Sequence, residues 1–166
     1  MDLLTISYFF HLLATVTWLG GLFFLSLLVF PETKRVLGDH PALNSYLTRL
    51  RKRFFPLINF SLVVLIFTGF IQMSGDENYD GVLQFTNEWS RVMLFKHIAF
   101  IGMIVFGALL QFGIAPALER LSLLIERGKG DPAAAAALRR RETQLTWVNV
   151  GLGVLVLLFT AWATAL

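Results

Sequence analysis

Four long runs of uncharged residues leave this chain few ways to fold. Leu3 to Phe30 is 28 residues without a charge, and Phe54 to Met73 adds 20. Val92 to Phe112 adds 21, interrupted only by Lys96, and Leu145 to Leu166 adds 22. A helix rises about 1.5 Å per residue, so about 20 residues cross about 30 Å of hydrocarbon. In hydrocarbon every backbone N–H and C=O needs an internal partner, which makes each run a helix. The sequence thus predicts an all-α integral membrane four-helix bundle, up-down-up-down, as one domain over residues 1–166. The spans fall at about 3–30, 54–73, 91–113 and 145–166. Composition agrees, with 56% hydrophobic and only 15% charged residues, against about 25% charged in soluble domains. The absence of Cys excludes disulfides, thiolate metal sites and cysteine nucleophiles.

Charge sets the expected orientation. The segments 31–53 and 114–144 carry Lys34, Arg35, Arg49, Arg51, Lys52, Arg53, Arg120, Arg127, Lys129, Arg139, Arg140 and Arg141, which is 12 of the 14 basic residues. The 74–88 segment has none, and holds Asp76, Glu77, Asp80 and Glu88. Under the positive-inside rule the two basic loops are cytoplasmic and both termini periplasmic. The net charge of +3 is then a topology signal that meets anionic headgroups, and no nucleic-acid partner is expected. The first span starts Met1-Asp2 with no basic stretch and is too long for a cleaved signal peptide. Asp39-His40-Pro41 reads as a helix start, Gly128-Lys129-Gly130 as a break, and Asp131-Pro132 as a restart. Pro31 and Pro116 are placed where helices leave the membrane. A faint internal repeat pairs His11…Pro31 with His97…Pro116, and Phe67-Thr68-Gly69-Phe70 with Phe159-Thr160-Ala161-Trp162.

Ionisable residues inside a span are expensive and mark function by default. His11, Lys96 and His97 qualify. Counted along their helices, His11 and His97 both lie about 12 Å below the outer surface. On diagonal helices of a four-helix square they stand about 11–14 Å apart in backbone terms. That spacing suits a b-type haem between the first and third helices, with His11 and His97 as metal ligands. Lys96 and Arg91 lie at the level of its propionates. Thr15 is one turn from His11, and Trp18 is expected on the same face. Gly20, Gly21, Gly69, Gly102 and Gly107 would admit a flat ring. Lys96 and His97 point about 100° apart, so Lys96 is an alternative second ligand. Met73, Met93 and Met103 are candidate copper ligands, since thioethers favour Cu(I). Asn59, Gln111 and Asn149 are expected to form a polar cluster tying the helices together. Phosphate loops and hydrolase motifs are absent from the sequence.

His11-Leu12-Leu13 through Trp18-Leu19-Gly20-Gly21 resembles the first helix of the copper-resistance D (CopD) superfamily of bacterial membrane proteins. Arg53-Phe54 through Leu65, Thr68 and Gly69 resembles the second, and Arg91-Val92-Met93-Leu94-Phe95-Lys96 the third. The resemblance implies copper handling at the inner membrane. His11, Trp18 and Lys96 are also similar to the pattern of the HemJ-type protoporphyrinogen oxidases, which implies haem at His11 and Lys96. The expected work is electron transfer near the periplasmic face through haem b, with quinone or a periplasmic redox or copper partner. Copper transport, a HemJ-like oxidase and a purely structural subunit are the alternatives, and an oligomer is compatible with all of them. The expected location is the bacterial cytoplasmic (inner) membrane. A reporter active only outside the cytoplasm, fused after Leu166, should be active; activity of a cytoplasm-only reporter at that position would overturn the orientation.

Overall fold

The computed structural model describes residues 2–38, 42–81 and 84–166. It has four long helices: α1 (Leu3–Leu37), α2 (Ala42–Ser74), α3 (Glu88–Glu126) and α4 (Pro132–Thr164). Each is long and apolar enough to cross a membrane. Among the described residues there is no strand. This is the multi-pass all-helical architecture expected from the four apolar runs.

Local chemistry explains where the helices begin and end. Asp2 caps α1, its carboxylate accepting from the Thr5 N–H at 2.9 Å. Asn87 and Ser90 form a reciprocal capping box at the start of α3. Asp131 accepts from the Ala133 N–H at 2.8 Å, with Pro132 in the first turn of α4. Gly38 (φ 51°) and Gly128 (φ 69°) take the left-handed backbone that stops α1 and α3. The expected cap at Asp39-His40-Pro41 lies outside the described residues.

The basic segments 31–53 and 114–144 are largely helical, with the break at Gly128 and the restart at Asp131-Pro132 where the sequence placed them. α1 runs on to Leu37, α2 is helical from Ala42, α3 reaches Glu126 and α4 starts at Pro132. The basic residues therefore ride on helical extensions. Pro31 and Pro116 lie within continuous helices. Each is preceded by a wide π turn, Leu25–Val29 in α1 and Leu109–Ile114 in α3. Proline has no N–H to offer the carbonyl four residues back, and the ladder accommodates this by slipping to i→i−5. A further π turn, Val16–Gly20, follows Thr15. The matched Pro and π-turn placement in α1 and α3 repeats the faint symmetry of the sequence in backbone geometry.

The helices pack chiefly as two hairpins, α1 along α2 and α3 along α4. A narrow core of Ala14, Trp18, Leu19, Leu65, Ala99, Met103 and Val156 joins them. Trp18 meets Phe100 edge-to-face at 5.3 Å, linking α1 to α3. A Cβ on Gly21 would collide with the Phe54 ring, so that glycine lets α2 approach α1. Large apolar side chains cover the outside; Phe112 is 72% and Phe60 68% exposed. In lipid that exposure carries no penalty, and packing plus polar contacts between helices hold the bundle.

At the basic end two ion pairs bind the helices together. Arg51 of α2 donates to Glu142 of α4, with only 13% and 18% of the two side chains exposed. Lys52 reaches Glu119 of α3 at 2.8 Å and is largely solvated, so it contributes little. Removing one half of the sheltered pair strands the other charge. Glu142→Leu should lower stability by about 3 kcal/mol, while Arg51→Leu/Glu142→Leu should recover most of the loss. Unfolding in detergent checks this, and equal damage from single and double variants would refute it.

Candidate functional site

Against the apolar surroundings of α1, a polar seam runs along its contact with α2. Ser7, 3% exposed, donates from Oγ to the Thr68 carbonyl at 3.1 Å. One turn on, Nδ1 of His11 lies 2.7 Å from Oγ1 of Thr68. Thr68 Oγ1 donates in turn to the Val64 carbonyl at 2.6 Å. A hydroxyl has one hydrogen, and here Val64 takes it. The His11 contact is therefore Nδ1–H donating to Thr68, which leaves Nε2 with its lone pair. A hydrogen bond on one ring nitrogen that fixes the other as an available ligand is the usual arrangement around protein-bound metals. The ring lies across Gly69, where a Cβ would come within 3.5 Å of Cε1.

Lys96 stands within electrostatic reach of His11 and is half-buried. Gln72, one turn beyond Thr68 on α2, has its Nε2 buried with no partner. The seam thus holds a bare imidazole nitrogen on His11 and, one turn from Thr68, an amide donor without an acceptor, with Lys96 of α3 within electrostatic reach of the ring. Thr68 and Gln72 were not singled out as site residues from sequence. The available signal was a threonine beside a glycine, Thr68-Gly69, in an otherwise apolar span.

The other expected residues are placed differently. His97 is on the exposed surface of α3, its Nδ1 donating to the Met93 carbonyl of its own helix at 2.6 Å. A haem held between His11 and His97 would require that ring to turn in from the outside. Thr15 bonds back to the His11 carbonyl at 2.8 Å, and Trp18 is 7% exposed in the core. Trp18 faces Phe100 of α3 while His11 faces α2. Arg91 is exposed, with Nε on the Asn87 carbonyl at 3.3 Å. Of the glycines offered for a flat ring, Gly21 is occupied by the Phe54 ring, and Gly102 lies against Leu152. Met103 is fully buried and packs toward Gly153. Asn59 is exposed while Asn149 is buried with Oδ1 unpaired. The expected tie between them is not formed, because Asn59 faces outward. Among the described residues no three or more His, Asp or Glu side chains gather into a metal-binding group.

A family model described as copper resistance protein D matches residues 48–163. That is more than two thirds of the chain. The chain belongs to the CopD family. The matched stretch includes Thr68, Lys96 and His97 and stops short of His11. No curated protein and no solved structure matches this CopD chain significantly.

The Thr68 hydroxyl carries the predicted state of His11. Thr68→Val keeps the shape but leaves Nδ1–H without an acceptor, which should lower stability by about 1–2 kcal/mol. Thr68→Ser should keep it. Nitrogen NMR of His11 should show one tautomer in the native chain and a mixture in Thr68→Val. An unchanged spectrum in Thr68→Val would refute the assignment.

Proposed function

We propose that this CopD-family chain handles copper in the bacterial inner membrane, with Nε2 of His11 as its working ligand. The observation that supports this reading is the Thr68 contact, which directs the lone pair away from its own hydrogen-bond network. Imidazole is a good copper ligand. A single imidazole holds an ion loosely, and the Lys96 charge nearby weakens the hold further. Loose binding suits an ion that must enter and leave a membrane site. The basic ends of the helices face the cytoplasm and both termini the periplasm, which puts His11 in the half nearer a periplasmic copper or redox partner.

A second reading is supported by Lys96 and Gln72. A b-type haem brings four nitrogens of its own and asks little of a ligand-poor protein. His11 would hold its iron, with Lys96 as second ligand or as counter-charge to a propionate. The unpaired Gln72 amide would donate to a propionate oxygen. Bound haem would supply one-electron chemistry, with quinone as a candidate acceptor. This reading replaces His97 by Lys96 as the partner of His11.

Purified full-length chain separates the two. Copper found by elemental analysis, and lost at least severalfold in His11→Ala, supports copper handling. A Soret and α band in the reduced-minus-oxidised spectrum, lost in both His11→Ala and Lys96→Ala, replaces it with the haem reading. Copper content unchanged in His11→Ala, with no haem bands, overturns both.

A further inference from the structure

No Asp or Glu falls within the four apolar runs, and Lys96 is the one charge inside them. Among the described residues the ion pairs Arg35–Glu32, Arg51–Glu142 and Lys52–Glu119 all lie at the basic end, and none includes Lys96. Nor does this lysine sit on the outside of the bundle. It shares the inner stripe of α3 with Val92, Ala99 and Met103, which are 3%, 5% and 0% exposed. The residue itself is half-buried. An ammonium in that position is expensive without a counter-charge.

The His11 seam supplies no counter-charge. Ala14 and Ala99 belong to one core cluster, and each stands three residues past His11 and Lys96 respectively. α1 and α3 cross in the same direction, so imidazole and ammonium come to one level, within electrostatic reach. Gln72 lies between Thr68, which meets His11, and Gly75, where a Cβ would come 3.2 Å from Cδ1 of Leu4. Four residues past the one and three before the other, it is on the α1-facing stripe of α2. Its Nε2 is buried and donates to nothing. Thus α1 offers a lone pair, α2 an N–H and α3 a positive charge. A bare copper ion satisfies the first and is repelled by the third.

We propose that the His11 centre takes Cu(I) together with a halide, chloride foremost, bonded to the metal opposite Nε2 and held by Lys96 and Gln72. Cu(I) is satisfied by two ligands in line, and hydrocarbon offers no water as the second. Chloride completes the pair with no change of oxidation state. Cu(I), chloride and Lys96 sum to a single positive charge, where bare Cu(I) and Lys96 carry two. The ammonium and the amide each gain an acceptor. A neutral Cu(I)–chloride unit also costs less to bring into hydrocarbon than a naked cation. The inference rests on the copper reading of His11 and adds what enters with the metal.

The test measures the Cu(I) affinity of detergent-solubilised full-length chain against a competing chelator, in chloride and in sulfate. The chelator's own change between the two media is subtracted. The native chain should bind about tenfold more tightly in chloride, the scale on which one close charge acts. Bromide in place of chloride should appear beside nitrogen as a heavy neighbour in the copper absorption fine structure. The chloride gain should shrink severalfold in Lys96→Leu and in Gln72→Leu, while His11→Ala should lose copper in both media. Equal affinity of the native chain in both media, with no bromide neighbour, would overturn the halide and leave copper at His11 standing. A gain unchanged in both variants would overturn the roles of Lys96 and Gln72. Copper lost from a folded Lys96→Leu in both media would make the lysine nitrogen the second ligand and overturn the halide as well. No Cu(I) held by the native chain in either medium would overturn the copper reading and this inference with it. The halide exchange needs no variant, so a misfolded Lys96→Leu leaves the test intact.

Discussion

Hydrocarbon offers no hydrogen bonds, and nearly every feature of this chain follows from that. Backbone groups are satisfied inside helices, including across Pro31 and Pro116, where the ladder slips rather than opens. Hydroxyl groups bond back onto their own helix, as Thr15, Thr17, Thr160 and Thr164 do. Apolar side chains need no burial, so the core is narrow and the phenylalanines face outward. Polar side chains that remain unsatisfied or bare in this setting therefore stand out.

The two intramembrane histidines answer the same constraint in different ways. His11 gives its N–H across a helix seam to Thr68, which adds a tie between α1 and α2. His97 gives its N–H to its own helix at Met93 and adds no tie. In each ring Nε2 is left with a lone pair. Any neutral imidazole keeps one bare nitrogen; what sets His11 apart is that a residue of the neighbouring helix fixes which nitrogen that is.

The helices, their caps at Asp2, Asn87 and Asp131, and the breaks at Gly38 and Gly128 follow from charge-free length and local capping chemistry. The Gly128 break and the Asp131 restart were legible before the structure; the facing of side chains was not. Helical counting carries a face forward at about 100° per residue, and each π turn inserts a residue and shifts the phase by that amount. The π turn at Val16–Gly20 starts after His11 and contains Trp18. Trp18 accordingly meets α3 although the count put it on the face of His11. His97 was matched to His11 by depth alone, and depth carries no information about direction. The basic segments were more legible, because capping and break signals at Gly128 and Asp131 mark helices whatever the charge of the residues they carry.

The two ends of the bundle then do different work. At the basic end, Arg51 with Glu142 clamps α2 to α4 away from the apolar spans. Pairing there neutralises both charges, leaving rigidity and no spare chemistry. Toward the other end, the α1–α2 seam keeps a bare nitrogen on His11, an unpaired amide on Gln72 and the Lys96 charge within reach. A chain this short has few contacts to hold open groups in place. The family match begins at residue 48 and so covers the clamp, Thr68, Lys96 and His97 while leaving out His11. Thr68 is the residue through which the matched part of the chain reaches that imidazole, and its single hydroxyl hydrogen decides which nitrogen of His11 is free.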